Sequence, residues 1–270
     1  MNLWFEAVAS VLIASLGALL GWLFSRLAKP WWMFGYFIPA AMILVYRLAL
    51  HYPALAFVPP ASWMLMGMKK FAILGFVATM VLTTPLSRVP RKRDRWVVVG
   101  FMAVFVFLKS VWPFLSPMLA RRQLETLETS IGKDGVCRQT TDYTCGPASA
   151  VTALRKLALP ADEGQIAILS LTSSTTGTDP DLLSEALQVE YRKRGLIAEY
   201  RPFKDIAELK QAGLTLAVVK FAFLVDHFVT VLEVTDTEVI VGDPLTGMDK
   251  LSYDDFRKKW RFTGIVLKRE

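Results

Sequence analysis

The chain has two textures. Up to about residue 120 it is a series of long apolar runs parted by short polar stretches; beyond that point short apolar runs alternate with turn signals. Residues 4–24 (WFEAVASVLIASLGALLGWLF) carry one charge, at the edge, and residues 31–50 carry only Arg47, near one end. Residues 71–86 are short alone, and 62–68 extend them if Lys69 and Lys70 snorkel to the membrane surface. Residues 96–119 hold one lysine, Lys109. A span takes about 20 mostly apolar residues, so the pattern predicts four transmembrane helices. Trp4, Trp22, Trp31, Trp32, Trp63, Trp96 and Trp112 fall near run ends, as an interfacial aromatic belt does. The first run is not followed by a small-residue cleavage site and reads as a retained anchor.

The second texture predicts an α+β domain. Residues 120–135 read as a polar helical linker ending in a turn. A helix is expected from Cys145 to Leu159, stopped by Pro160, and a second, short one over 162–170. The stretch LTSSTTGTD (171–179) is a loop of turn and cap residues, and Asp179 or Asp181 caps a helix that runs through Arg194 to a stop at Gly195. A strand over 196–201 and a helix over 203–211 follow. Strand patterns then come at 214–221, 227–234, 238–244 and 262–269. Helices followed by an antiparallel run of strands give the α+β order. The expected divisions are a transmembrane region over 1–122, a linker over 123–134 and the second domain over 135–270.

Charge sharpens this division. Residues 1–122 hold 13 Lys and Arg against Glu6 and Asp94; residues 123–270 hold 18 against 22 Asp and Glu. The basic balance belongs to the apolar half, so it points to a lipid bilayer and gives no reason to expect a nucleic-acid partner. With four spans both termini share a side. The dense loop RVPRKRDR (88–95) is best placed in the cytoplasm, which leaves the C-terminal domain outside it. A fifth span built from 53–68 would reverse the N-terminus. Lys109 reads either as a functional charge within the membrane or as a lysine that snorkels to an interface.

The candidate chemistry is narrow. The chain has two histidines, one of them His51 in the apolar half, and no HExxH, CxxC, Walker loop or GxGxxG. No metal and no cofactor is expected. A thiol nucleophile is better supported. Cys145 precedes Gly146-Pro147 and would stand at a helix N-terminus, where backbone N–H groups and the helix dipole favour a thiolate. Gly146 would leave room for a substrate backbone. His227, the only histidine of the second half, opens a strand and could take the thiol proton. Asp243 ends the neighbouring strand pattern and could orient the imidazole. Gln139, six residues before Cys145, could donate to an oxyanion alongside the Cys145 N–H. Asp226 and Phe228, flanking His227, are assigned to substrate contact. Each residue also has a plain structural reading: a small buried thiol, a core histidine, a turn aspartate before Pro244.

Together QTTDYTCGPASAVTAL, DHFVTVLEV and VGDP resemble the bacteriocin-processing, double-glycine cysteine peptidases (cysteine peptidase family 39) and their stand-alone relatives, over about residues 135–270. The resemblance implies a papain-like α+β fold, with Cys145 as nucleophile, His227 as base, Asp243 as orienter and Gln139 as oxyanion donor. Two features depart from it: Thr144 stands where leader peptidases commonly have Asp, and no transporter or ATPase is attached. The expected function is a membrane-anchored bacterial peptidase, in the inner (cell) membrane with its catalytic domain outside the cytoplasm. It would hydrolyse a peptide or protein substrate, such as a leader or precursor peptide, through a Cys145 thioester. A thiol-dependent acyltransferase or amidase and an inactive peptide-binding module serving a membrane partner protein are the rival readings. Cys137, the other cysteine, is expected to be reduced and partly buried, with a Cys137–Cys145 disulfide as a conceivable off-switch in an oxidising compartment.

Overall fold

The structure is a computed structural model that describes residues 3–222 and 225–270, and it divides into two compact units at Ser116/Pro117. The first unit is helical. It runs through α1 (Leu3–Ser25), α2 (Phe34–His51), the short α3 (Ala61–Leu65), α4 (Lys69–Thr83) and α5 (Lys92–Val106). A π-helical turn at Phe107–Val111 joins α5 to α6 (Trp112–Leu124). Four segments are long and apolar enough to cross a membrane: Leu3–Ser25, Trp31–Ala49, Lys69–Arg88 and Lys92–Leu124.

The third segment gains its length differently from the sequence expectation. Met66 is extended and Gly67 has φ of 62°, so α3 is separate from α4. The added residues lie instead at the far end, through a 3-10 turn at Leu86–Arg88. Lys69 and Lys70 therefore begin a helix rather than interrupt one. Residues 53–65 form two five-residue turns of helix and supply no fifth span.

Helices α1 and α4 pack closely because each presents small residues. Ala7, Ser10, Ala14, Gly17, Gly21 and Ser25 are buried on α1; Ala72, Gly75, Thr79 and Thr83 are buried on α4. A Cβ on Gly17 would lie 2.5 Å from the Phe76 carbonyl oxygen, and one on Gly21 2.6 Å from that of Met80. Thr79 Oγ1 donates to Ala14 O at 2.7 Å. Among apolar helices, where burial of hydrocarbon distinguishes little from lipid, such close backbone approach and interhelical hydrogen bonding supply the association energy. Where the π turn widens the last helix, Ser110 O accepts from Ser10 Oγ at 2.9 Å, and Lys109 in the same turn is exposed.

The second unit begins with helix and hairpin rather than a free linker. α6 ends at Leu124, and β1 (Ser130–Ile131) pairs with β2 (Cys137–Arg138). The stretch expected as a helical linker is thus helical only at its start. Thr129 ties it down, its Oγ1 donating to Asp162 and accepting from the Glu163 N–H. Three helices follow: α7 (Cys145–Lys156), α8 (Glu163–Leu169) and α9 (Pro180–Tyr191), the last two capped by Asp162 and Asp179. Gly195, with φ of 77°, ends the helical turn after α9 as the sequence anticipates.

The remaining elements are β3 (Leu196–Pro202), α10 (Ile206–Ala212), β4 (Thr215–Ala222), β5 (Val225–Val234), β6 (Glu238–Asp243), β7 (Gly247–Ser252), α11 (Tyr253–Lys259) and β8 (Trp260–Arg269). The strands form one antiparallel sheet in the order β3-β8-β4-β5-β6-β7. Both faces are covered. Leu216, Val218, Phe228, Ile265 and Leu267 meet α7 and α9 on one side. Ala217, Val219, Val231 and Val266 meet Ile206, Leu209, Phe256 and Trp260 on the other. That is why 216–219 reads LAVV without a polar position. Helix α7 is buried continuously from Cys145 to Leu154, so the residue at its start is held by the core.

Candidate active site

Two hydrogen bonds set α7 across β5. Ser149 Oγ donates to Phe228 O at 3.0 Å, and Thr230 Oγ1 donates to Ser149 O at 2.8 Å. Ser149 lies one helical turn after Cys145, and Phe228 directly follows His227. The clamp therefore brings the start of α7 against the start of β5, with the His227 ring beside the Cys145 thiol group. On its other side His227 Nε2 is 2.9 Å from Asp243 Oδ1, so Nδ1 is the nitrogen left for Cys145. Asp243 Oδ1 also accepts from the Leu245 N–H at 2.8 Å, which fixes the carboxylate from the turn that follows it.

The electrostatics follow from these contacts. Burial works against a charged imidazole, but the hydrogen bonds to Asp243 and Cys145 outweigh it and push the His227 pKa up to about 9. Burial works against a charged Asp243 as well, and the His227 and Leu245 hydrogen bonds overcome it, holding the carboxyl below its usual range. Cys145 is 9% exposed and His227 5%, so the pair is shielded yet at the surface of the core.

Gln139 lies beside the turn that leads into α7. Its Nε2 donates to Thr141 O at 2.7 Å and its backbone N–H to Pro244 O at 3.1 Å, next to Asp243. Its buried Oε1 has no partner among the described residues. Thr144 closes the same turn: its hydroxyl accepts from the Thr141 N–H at 3.2 Å and donates to Thr141 O at 3.3 Å. A carboxylate there could make the first of these bonds and not the second. No side chain caps the N-terminus of α7.

Three assigned residues have other surroundings than the sequence suggests. Gly146 makes room for Thr178, whose Cβ and Cγ2 would lie 2.9 Å from an added Cβ. Phe228 packs its ring into the core with Cys145, Ala148 and Val218. Asp226 is exposed and accepts from Arg261 at 2.7 Å. Cys137 is fully buried, its thiol pushed up to about 12 chiefly by burial and then by the charge of Glu163; both cysteines are free.

Sequence reasoning missed Glu163. It is wholly buried and accepts from the Thr140 N–H at 2.9 Å and Thr140 Oγ1 at 2.7 Å, holding the turn after β2 that carries Gln139. Its only signal was position, directly after the Asp162 cap. Among the described residues no cluster of three metal-ligating side chains occurs.

Known proteins share this domain. An uncharacterised protein of Methanothermobacter marburgensis is 28% identical over 144 residues, covering 53% of this chain and 95% of its own length. An uncharacterised protein of Methanothermobacter thermautotrophicus is 27% identical over 141 residues, covering 52% and 92%. Among solved structures, a double glycine motif protease from an AMS/PCAT transporter, in complex with its leader peptide, superposes with a TM-score of 0.43 at 19% identity over 53% of this chain and 93% of that one. The peptidase domain of Streptococcus ComA, a bi-functional ABC transporter involved in a quorum sensing pathway, gives 0.42 at 21% over 49% and 96%. The sequence profile of the peptidase C39 family matches residues 133–270, the whole of the sheet-bearing unit from its first hairpin turn to its end. With more than half of its length matched, and Cys145, His227 and Asp243 all inside the match, the chain belongs to the peptidase C39 family.

Proposed function

We propose that the chain is a membrane-anchored cysteine peptidase that cleaves a leader or precursor peptide through a thioester on Cys145. The observation that carries this is Cys145 beside His227, whose ring is hydrogen-bonded to Asp243, within a C39 domain. With the Cys145 proton already held on His227 Nδ1, Sγ attacks the scissile carbonyl carbon. The tetrahedral oxyanion receives the Cys145 N–H at the open N-terminus of α7 and the remaining Nε2–H of Gln139. As the C–N bond breaks, Nδ1 returns the proton to the leaving amine. Water, deprotonated by Nδ1, then attacks the thioester; the acid leaves, Sγ is released, and the proton stays on Nδ1 for the next cycle. Asp243 holds the ring and supports its positive charge throughout.

The four apolar helices support a membrane anchor, and the basic loop over 88–95, read as cytoplasmic, supports a domain outside the cytoplasm. Two measurements test the reading. Comparative peptidomics of cells carrying the wild-type chain or Cys145→Ala should reveal peptides that end at a common site only in the former; identical peptidomes would refute the peptidase. Fusions after Glu270 should give active alkaline phosphatase and dark green fluorescent protein, and the reverse pattern would put the domain in the cytoplasm.

A further inference from the structure

An exposed aromatic ring lies against the buried imidazole. The pairing of β4 with β5 runs Val219↔His227, Lys220↔Asp226 and then Ala222↔Val225, so the register slips by one and Phe221 is left unpaired. Such a bulge re-aims a side chain and is common next to active sites. Here the Phe221 ring centroid is 5.6 Å from that of His227, at an interplanar angle of 41°. His227 is 5% exposed while Phe221 is 63% exposed, so one face of the phenyl ring covers the imidazole and the rest is open. Val225, opposite Ala222, adds apolar surface at 49% exposure. Asp226, next to Val225 in the chain, is engaged by Arg261.

We propose that Phe221, with Val225, forms the subsite for the residue directly after the scissile bond, and that it takes an apolar side chain. The inference rests on the peptidase reading above and adds the substrate preference. The direction of the peptide follows from proton traffic. The oxyanion donors stand at Gln139 and the start of α7, which fixes the carbonyl side. The leaving nitrogen must lie against His227 Nδ1 to be protonated, so the residue carrying that nitrogen lies on the His227 side, where Phe221 is. An uncharged, half-open aromatic surface there gains by covering with an apolar side chain and gains nothing from a charged one.

The test uses the full-length chain in detergent, a proteome-derived peptide library, and mass spectrometry of the new N-termini. Wild type should show apolar residues enriched directly after the cut. Phe221→Ser should lower the apolar-over-polar ratio of kcat/KM roughly 10-fold or more, the scale of an apolar pocket's discrimination, and Phe221→Leu should restore most of it. The preference before the cut should be the same in all three. An unchanged ratio in Phe221→Ser, or no apolar enrichment in wild type, overturns the subsite. An equal loss of kcat for every peptide together with a shifted pH profile also overturns it, and makes Phe221 a residue that only positions His227. A wild-type chain that neither cuts the library nor reacts at Cys145 with a thiol-directed acylating probe fails earlier, at the peptidase reading itself.

Discussion

Cys145→Ala and His227→Ala should each reduce turnover by about 10⁵–10⁶-fold, and the double variant should be little worse than either, because nucleophile and base act as one unit. The domain should remain folded. Cys145 contributes one small side chain to the core at the start of α7, and the Ser149–Phe228 and Thr230–Ser149 hydrogen bonds that seat the helix are untouched. A single atom-sized truncation at such a place costs on the order of 1 kcal/mol of stability. The measurement is single-turnover cleavage beside a thermal melt for each variant. Cys137 offers no substitute nucleophile: it is fully buried and its thiol, at about 12, stays protonated at any pH where the domain functions. Turnover at the wild-type rate in Cys145→Ala would remove the assignment.

The sequence discloses the site and the fold unequally, and the reason is physical. Cys145, His227 and Asp243 were legible because each sits at or near an element boundary that local rules can find: a thiol before Gly-Pro at the start of a helix, a histidine two residues into a strand, an aspartate closing one. What brings them together was not legible. The Ser149–Phe228 clamp joins residues 79 apart, and nothing in the run PASA distinguishes that serine from a helix filler. Glu163 carries a charge, so pattern alone places it in water; only the tertiary fold reveals that Thr140 satisfies it. Phe221 depends on a one-residue register slip, a property of strand pairing rather than of composition. Elements β7 and α11 were hidden by their polarity. The strand lies at the sheet edge, and the seven-residue helix is held by its Ser252 cap and the one buried side chain of Phe256. In the apolar half four spans were read with a fifth over 53–68 left open, and the limits of the third depended on Gly67, whose positive φ breaks the helix.

Asp243→Asn should keep the geometry and move the pH range of activity. An amide oxygen can still accept from His227 Nε2, but the negative charge that helps hold the imidazolium is gone. Two sign considerations define the starting point. His227 is raised to about 9, so the contribution of its contacts to stability is complete below an unfolded value of about 6.5 and is lost as pH rises through about 9. Asp243 is depressed, so its contribution is present above an unfolded value of about 3.9 and is lost as pH falls through its folded value. The wild-type pair is thus strongest from mildly acid to mildly alkaline pH, and the alkaline fall of kcat/KM should lie near 9. In Asp243→Asn that fall should move down by about one pH unit or more, because burial then opposes a cation with less to offset it. Asp243→Ala loses the orienting bond as well and should cost about 10²–10⁴-fold in kcat, the usual scale for disabling acid–base catalysis. Both effects are read from kcat/KM between pH 5 and 10 with melts at the same pH values. An alkaline limb in the same place for wild type and Asp243→Asn would mean that the carboxylate does not set the charge of His227, and that Asp243 serves only the turn through the Leu245 N–H.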